Sequence, residues 1–488
     1  MDSRLAGVVV FVASGAVLVL EILAGRLLAP YVGVSLETFT GIIGVVLAGI
    51  ATGTWVGGWL ADRIDPRRLL PGALVLGGAA AIAAVPIIRA LGPGVPSASP
   101  AAIVVLAAFG FFAPSALLSA ATPLTVKVQL DALDHTGRVV GRLSALGTAG
   151  SLVAVFTTGF VLVAEFPTTP VVIVLGSLLV AGGATLWWHL GERLPGRVIA
   201  AGALVAAVSS GVAVAAGQPC DAETAYYCVD VRADSARPTG RVLVLDDLRH
   251  AYVDLTDPTF LEFAYVQILG DVVDAVTAEG EPIAAVHLGG GGFTVPRYLA
   301  VTRPGSTSVV LELDPGVVDV AEQELGLVLD DDLRVVTGDA RVNLADVPDD
   351  SADLVVGDAF GGRAVPWHLT TAEFVGDIRR VLRDGGVYAQ NIIDQQPLGF
   401  LRAEAATLRD AFEHVAVIGP AGRFDGSAGG NTIVVASDRP LPLDRLAELN
   451  AARGDDDVVV GDPAALDDFV DGAPVLTDEY APVDQLLT

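Results

Sequence analysis

Seven stretches within the first 217 residues read as unbroken apolar runs, at roughly 5–28, 38–60, 69–90, 100–121, 141–163, 168–188 and 197–217. Each approaches the ~20 residues that a helix needs to cross a ~30 Å hydrocarbon layer, and buried helices of soluble proteins rarely come so long in such close succession. The pattern predicts an α-helical transmembrane bundle of about seven spans over 1–217. The first run is too long for the apolar stretch of a cleaved leader and is followed by six more, so it reads as a span. Gly49, Gly53 and Gly57 fall four apart on one face of the second run. Missing side chains there let another helix approach closely, with a transport pathway as the other reading. Glu21 and Arg26, inside and at the end of the first run, would each cost from ~3 kcal/mol upward if left unpaired in lipid. They are expected to face protein or lie near the interface, either in an ion pair with another span or in contact with a ligand.

Beyond Cys228 the pattern shortens. Residues 226–231, 241–246 and 250–255 alternate in polarity between turn residues, which predicts a small antiparallel β-sheet. Residues 261–276 then space their apolar positions at three and four, as a helix packed on a core does. This region, 218–280, precedes a third over 281–488, where short apolar strands at 284–288, 307–313, 333–339, 353–358 and 386–392 alternate with helical segments. That order predicts a C-terminal α/β Rossmann-like domain of the methyltransferase type, with a parallel sheet whose strand ends share one rim.

Candidate chemistry gathers on that rim. Gly289, Gly290, Gly291 and Gly292 follow the first of these strands and run into a helix predicted from Phe293. Glycines at a strand-to-helix turn let a ligand reach the backbone, and the N–H groups that open the helix favour anionic or polar groups. Glu312 ends the next strand, where a carboxylate can accept both hydroxyls of a ribose. The NAD fingerprint fits badly, because Thr294 stands where its third glycine belongs. Asp339 and Asp358 end two further strands; each could serve a ligand or simply cap the following helix.

Charge divides the chain as sharply as hydropathy does. The formal net charge is -28, yet residues 1–217 carry 11 Lys and Arg against 9 Asp and Glu, which leaves the remainder at -30. A surface of one sign repels polyanions, so DNA and RNA are disfavoured as partners. Lys127 is the only lysine. The acidic, lysine-poor balance resembles that of proteins adapted to high salt. Among the short loops, Arg63, Arg67 and Arg68, then Lys127, Arg138 and Arg142, then Arg193 and Arg197 mark alternate connections as cytoplasmic, whereas the others hold little beyond Arg89. Seven spans would then place the N-terminus inside and the acidic domain outside. Cys220 and Cys228 could close a small disulfide loop in an oxidising exterior or remain two buried thiols, and no histidine stands near them at zinc-ligand spacing. No metal site is expected.

The segments LGGGGFTVPRYL (288–299), ELDP (312–315), GDAR (338–341), VGDAF (356–360), HLTTAEF (368–374) and LTDEYAPVD (476–484) together resemble the spermidine synthases, the polyamine aminopropyltransferases. EILAGRLLAPYVG (21–33) and GGWLADR (57–63) are similar to the membrane part of their membrane-fused relatives, so the resemblance runs over nearly the full chain. It implies aminopropyl transfer from decarboxylated S-adenosylmethionine to a small-molecule amine, with no permanently bound cofactor. Another S-adenosylmethionine-dependent transfer such as methylation, and a non-catalytic polyamine transporter or sensor, are the other readings. Gly289 to Gly291 would accommodate the adenosyl donor, Glu312 its ribose, and Asp339 with Ala340 its adenine. Asp358 matches the carboxylate that takes the proton of the attacking amine, and Tyr265 a tyrosine beside the reacting centre. His250 stands where the family has a glutamine, Gly292 where it has an aspartate that holds the aminopropyl group, and Gly361 where it has a second acidic residue. The adenosine half of the pocket therefore matches and the amine half departs, which leaves open ordinary S-adenosylmethionine as donor, an acceptor other than putrescine, or loss of catalysis. The partners expected are the amine, the adenosyl donor and the lipid bilayer, with a homodimer as a further option.

Overall fold

The computed structural model describes residues 1–95, 99–130, 136–190, 196–278 and 280–487. Arg193, one of the loop charges, lies outside the described residues. Two compact units emerge, one of 1–230 with 245–247 and the other of 231–244 with 248–488.

The first unit contains seven helices long and apolar enough to cross a membrane: α1 (Ser3–Val32), α2 (Leu36–Ala61), α3 (Pro66–Gly94), α4 (Pro100–Gln129), α5 (Thr136–Glu165), α6 (Thr168–Leu190) and α7 (Gly196–Ala215). Small residues set their spacing. A β-carbon on Gly53 would fall 2.0 Å from the Ala116 carbonyl oxygen, one on Gly49 2.8 Å from Ser115 Cβ, and one on Gly57 2.9 Å from Ala120 Cα. The glycine face of α2 is thus a helix-packing seam against α4, where backbones meet because nothing stands between them. Large apolar side chains point outward instead, among them Trp55, Phe160 and Trp188. Water would penalise that surface and hydrocarbon would not.

Arg26 does not pair with Glu21. Its guanidinium meets Glu223 at 3.1 Å and donates to the carbonyls of Val163, Thr224 and Ala225. The ion pair is therefore with the segment that follows the last span, and the hydrogen bonds satisfy a cation that lipid could not. Arg89 is likewise drawn inward, donating to Ala213 O and Thr169 Oγ1. Cys220 and Cys228 form a disulfide.

Four short strands follow: β1 (Ala222–Glu223), β2 (Cys228–Ala233), β3 (Gly240–Leu245) and β4 (Leu248–Asp254), joined in that order. The amphipathic helix α8 (Ala264–Val276) buries Val266, Ile268, Leu269, Val272 and Val273.

The α/β domain then builds an eight-stranded sheet. Its elements are β5 (Ala284–Leu288), α9 (Thr294–Thr302), β6 (Thr307–Glu312), α10 (Pro315–Glu324), β7 (Leu333–Thr337), α11 (Ala340–Leu344), β8 (Ala352–Gly357), α12 (Ala372–Val381), β9 (Leu382–Asp394), α13 (Gly399–Ala411), β10 (His414–Pro420), α14 (Ala421–Phe424), β11 (Gly430–Ser437), α15 (Leu443–Arg453) and β12 (Asp457–Val460). Strand order is β12-β10-β11-β9-β8-β5-β6-β7. The five strands from β9 to β7 run parallel, whereas β11, β10 and β12 extend the sheet antiparallel. Apolar clusters cover both faces, with Phe374, Tyr388 and Phe400 on one and Val272, Leu299 and Ile433 on the other. Such burial explains why these strands read as near-continuous Val, Ile and Leu runs.

Candidate active site

The chain reverses its direction of sheet growth between β5 and β8, and the crevice beyond such a switch point is where open α/β sheets bind ligands. Register puts Leu288 beside Gly357, so the glycine turn and Asp358 leave the sheet side by side. The Asp358 N–H donates to Leu288 O at 2.9 Å. A β-carbon on Gly289 would lie 2.7 Å from Asp358 O, and Gly289 has φ +94°, so both space and conformation require glycine there.

Glu312 organises this turn from beneath. Its Oε2 accepts the N–H groups of Gly290 at 2.7 Å and Gly291 at 3.3 Å, and its Oε1 accepts Asp314 N–H at 2.9 Å. Burial pushes the carboxyl up in pKa, and these donors partly offset that. Oε1, with a single donor, retains a second acceptor direction for a ligand hydroxyl. Helix α9 begins at Thr294, one residue later than the expected start, because Phe293 occupies a left-handed conformation as its cap.

Asp339 caps α11, accepting Val342 N–H at 3.0 Å, and meets His368 Nε2 at 2.8 Å. Burial works against its charged form, but the Val342 N–H and His368 outweigh it and hold its pKa below the ordinary value. Ala340, the first residue of α11, is buried. Its small side chain fits the helix closely to the rim.

A cavity of about 880 Å³ opens on the rim, lined by Gly289 to Gly292, Asp358, Tyr265 and His250 among others. Glu312, Asp339 and Ala340 are not in its lining. The structure thus brings the glycine turn, Asp358, Tyr265 and His250 around one space, while Glu312 supports its floor and Asp339 stands further along the rim. Tyr265 Oη donates to Asp358 Oδ2 at 3.4 Å and lies 3.3 Å from His250 O. Asn391 Nδ2 donates to Asp358 Oδ1 at 2.7 Å. Asp358 is half-buried at the cavity wall, and loss of water raises its pKa to about 7 despite these two donors. Burial lowers His250 to about 4, so its ring is neutral at pH 7. A carboxyl poised between its two forms near pH 7, at the edge of a cavity, can accept a proton from a bound amine.

Gly292 is closed in by its neighbours: a β-carbon there would fall 2.6 Å from Ala251 Cβ and 3.1 Å from Val253 Cγ2. Strand β4 has filled the space that an aspartate would need. Gly361 has no neighbour within 4 Å of such a carbon, so its side-chain space is open.

Asn391, Asn431, Asp394 and Arg423 also line the cavity, and none was singled out by sequence reasoning. Asn431 Nδ2 donates to Asn391 Oδ1 at 3.0 Å, so a line of amides runs from Asp358 along β9 to β11. Amides set within the apolar stretch 386–392 and at the start of 430–437 were the available signal. The pairing of β9 with β11, which joins them, was not visible. Among the described residues no group of three or more His, Cys, Asp or Glu is placed to hold a metal.

No family model matches the chain. A polyamine aminopropyltransferase of Vibrio vulnificus is 36% identical over 134 residues, 27% of this chain and 44% of the relative. One of Chromobacterium violaceum is 25% identical over 139 residues, 28% of this chain and 52% of the relative. The chain therefore spans about half the length of the curated relatives it matches. Among solved structures, a probable spermidine synthase from Corynebacterium glutamicum is 26% identical, with 53% of this chain and 95% of that one covered at a TM-score of 0.49.

Proposed function

We propose that this chain, whose C-terminal half is related to the polyamine aminopropyltransferases, moves an aminopropyl group from decarboxylated S-adenosylmethionine to an amine while anchored in a bilayer by its seven apolar helices. The observation that carries the reading is Asp358: a carboxyl raised to about 7, held by Asn391 and Tyr265, beside a glycine turn that leaves room for a ligand.

The chemistry follows from what an ammonium lacks. A protonated amine has no free lone pair, so it must lose a proton before it can attack. Asp358 accepts that proton. The nitrogen lone pair then forms a bond to the carbon beside the sulfonium as the carbon–sulfur bond breaks, and its electrons return to sulfur to leave a neutral thioether. Tyr265 and Asn391 hold the carboxylate in place. Glu312 positions the donor ribose, Asp339 with Ala340 its adenine, and Gly289 to Gly291 accommodate the sulfonium end. The neutral His250 ring adds a polar contact without a competing charge.

Product analysis tests the reading. Purified full-length protein mixed with decarboxylated S-adenosylmethionine and a panel of amines should release methylthioadenosine. Homocysteinyl adenosine from ordinary S-adenosylmethionine would instead establish methyl transfer, and neither product would make the site a binding module.

A further inference from the structure

We infer that the acceptor amine carries a carboxylate, held by the Arg423 guanidinium on the far side of Asp358 from the glycine turn. This rests on the transfer reading above and names the substrate class of the same site.

The first observation is a cation without an acid. In this acidic half many arginines sit against carboxylates, as in Arg341–Asp478, Arg380–Asp349, Arg383–Asp353 and Arg453–Asp271. Arg249, Arg363 and Arg423 all line the cavity, and none forms an ion pair among the described residues; Arg249 stacks over Phe263 instead, at 5.1 Å. Among the described residues the side chain of Arg423 donates through Nε alone, to Asn431 O at 3.3 Å. In a region of net -30, a guanidinium left unpaired at a cavity wall is available to an anionic ligand group. A guanidinium offers forked donors matched to a carboxylate.

Position is the second. Strands β6 and β7, with Glu312 and Asp339, lie on one side of β5, whereas β8, β9 and β11 lead away on the other. Following that direction from the glycine turn, Asp358 comes first, then Asn391, then Asn431 with Arg423 against it. Arg423 is thus beyond the proton-accepting carboxylate, where an acceptor's tail extends.

Third, the backbone makes room for it. Gly430 has φ +136°, and a β-carbon there would stand 2.6 Å from Arg423 Nη2. The positive φ favours glycine there, and its missing side chain leaves the guanidinium room.

The acids nearby do not offer a better site for a second ammonium. Asp394 is buried and already accepts the N–H groups of Gln395 and Leu401. The space beside Gly292 is closed by Ala251. Glu262 lines the cavity but is exposed, where water screens it. A diamine would place its remote charge near a like charge, and an amino acid would place a carboxylate there. The transfer is otherwise unchanged: the acceptor ammonium gives one proton to Asp358, the carbon–nitrogen bond replaces the carbon–sulfur bond, and the products are a secondary ammonium and methylthioadenosine.

A matched pair of acceptors tests it, 1,4-diaminobutane and its carboxylated counterpart ornithine, with the full chain in detergent and decarboxylated S-adenosylmethionine as donor. Methylthioadenosine release should favour ornithine in kcat/KM by at least about tenfold, as one charge-assisted contact implies. Arg423→Gln should erase the preference, and Arg423→Lys should keep part of it. Unchanged methylthioadenosine affinity in both variants shows that they fold. A preference for the diamine, or one that Arg423→Gln leaves intact, overturns the inference. So does an Arg423→Gln variant that loses affinity for ordinary S-adenosylmethionine alone, since the carboxylate would then be the donor's. If no acceptor yields methylthioadenosine, calorimetry on the methylthioadenosine-bound protein still reads the pocket. Ornithine binding that Arg423→Gln removes would then sustain the carboxylate site while the transfer reading falls, and its absence would sink both.

Discussion

Asn391 donates from Nδ2 to Asp358 Oδ1 at 2.7 Å, across the neighbouring parallel strands β9 and β8. The bond favours the ionised carboxylate, against the burial that raises Asp358 to about 7. Replacing Asn391 with Leu removes that donor, so the pKa of Asp358 should rise further. The ascending limb of kcat/KM against pH should then move to higher pH, because the base must be ionised to accept a proton. Profiles of methylthioadenosine release from the two proteins would read the shift, and coincident limbs would mean that Asp358 is not the titrating base.

Asp358→Asn separates catalysis from binding. An amide cannot take the amine proton, so turnover should fall by ~100-fold or more while donor affinity stays nearly unchanged. Stability should move the other way. The native pKa lies near 7 and the ordinary one at 3.8, so the folded state holds the extra proton between these values and the parent loses stability as pH rises from about 4 through 7. Thermal melts should therefore show the unliganded variant more stable than the parent at pH 8, by about 2 to 4 °C per kcal/mol recovered, with the difference gone below pH 4. An equal melting temperature at pH 8 would contradict the buried charge.

Much of this site lay open in the sequence because its parts are local. The turn at Gly289 to Gly292 and the carboxylates at 312, 339 and 358 are marked by the ends of apolar runs, and strand ends of a parallel sheet share one rim. Asn391, Asn431 and Arg423 were not legible, since what joins them is the antiparallel pairing of β9 with β11, a long-range contact. Arg26 shows the same limit in the first unit: its charge in an apolar run demanded a partner, but Glu223 is 197 residues distant in the chain and no local spacing points to it.

Glu312 holds the glycine turn besides the ribose role proposed for it, so the variant must keep its shape. Glu312→Gln retains one acceptor oxygen and replaces the other with a donor facing backbone N–H groups or a ribose hydroxyl. Calorimetry with methylthioadenosine should show affinity reduced by at least about tenfold, the cost of losing a charge-assisted hydrogen bond. An unchanged affinity would remove Glu312 from the donor site.

Gly292 and Gly361 should respond differently to the same substitution. Gly292→Asp must push against Ala251 and Val253, and overpacking of this kind costs about 1–3 kcal/mol. Gly361→Asp enters open space and should leave the melting temperature within the small range of ordinary surface changes. Denaturation midpoints of both variants decide the point. A tolerated Gly292→Asp would show that β4 can yield and that the cavity can regain an acid there.

The side of the membrane on which the α/β domain stands is set by the short connections. Arg63 lies between α2 and α3 and Arg67 and Arg68 in the first turn of α3, Lys127, Arg138 and Arg142 around the connection of α4 to α5, and Arg197 at the start of α7. Arg89, the main exception on the opposite side, spends its charge on Ala213 O and Thr169 Oγ1. The positive-inside rule predicts a cytoplasmic connection before α7, which would bring the chain beyond α7 out on the other side. The Cys220–Cys228 disulfide follows that helix directly, and such bonds persist in oxidising surroundings. Against this stands the proposed donor, a nucleoside sulfonium expected in the cytoplasm. The domain's own -30 does not weigh on either side, because long domains cross irrespective of charge. The expected outcome is that an impermeant protease added to intact cells removes the α/β domain, and that Cys220 and Cys228 take up a thiol reagent only after reduction. A protected domain with two freely labelled cysteines would reverse the assignment and place the site in reach of the cytoplasmic nucleotide pool.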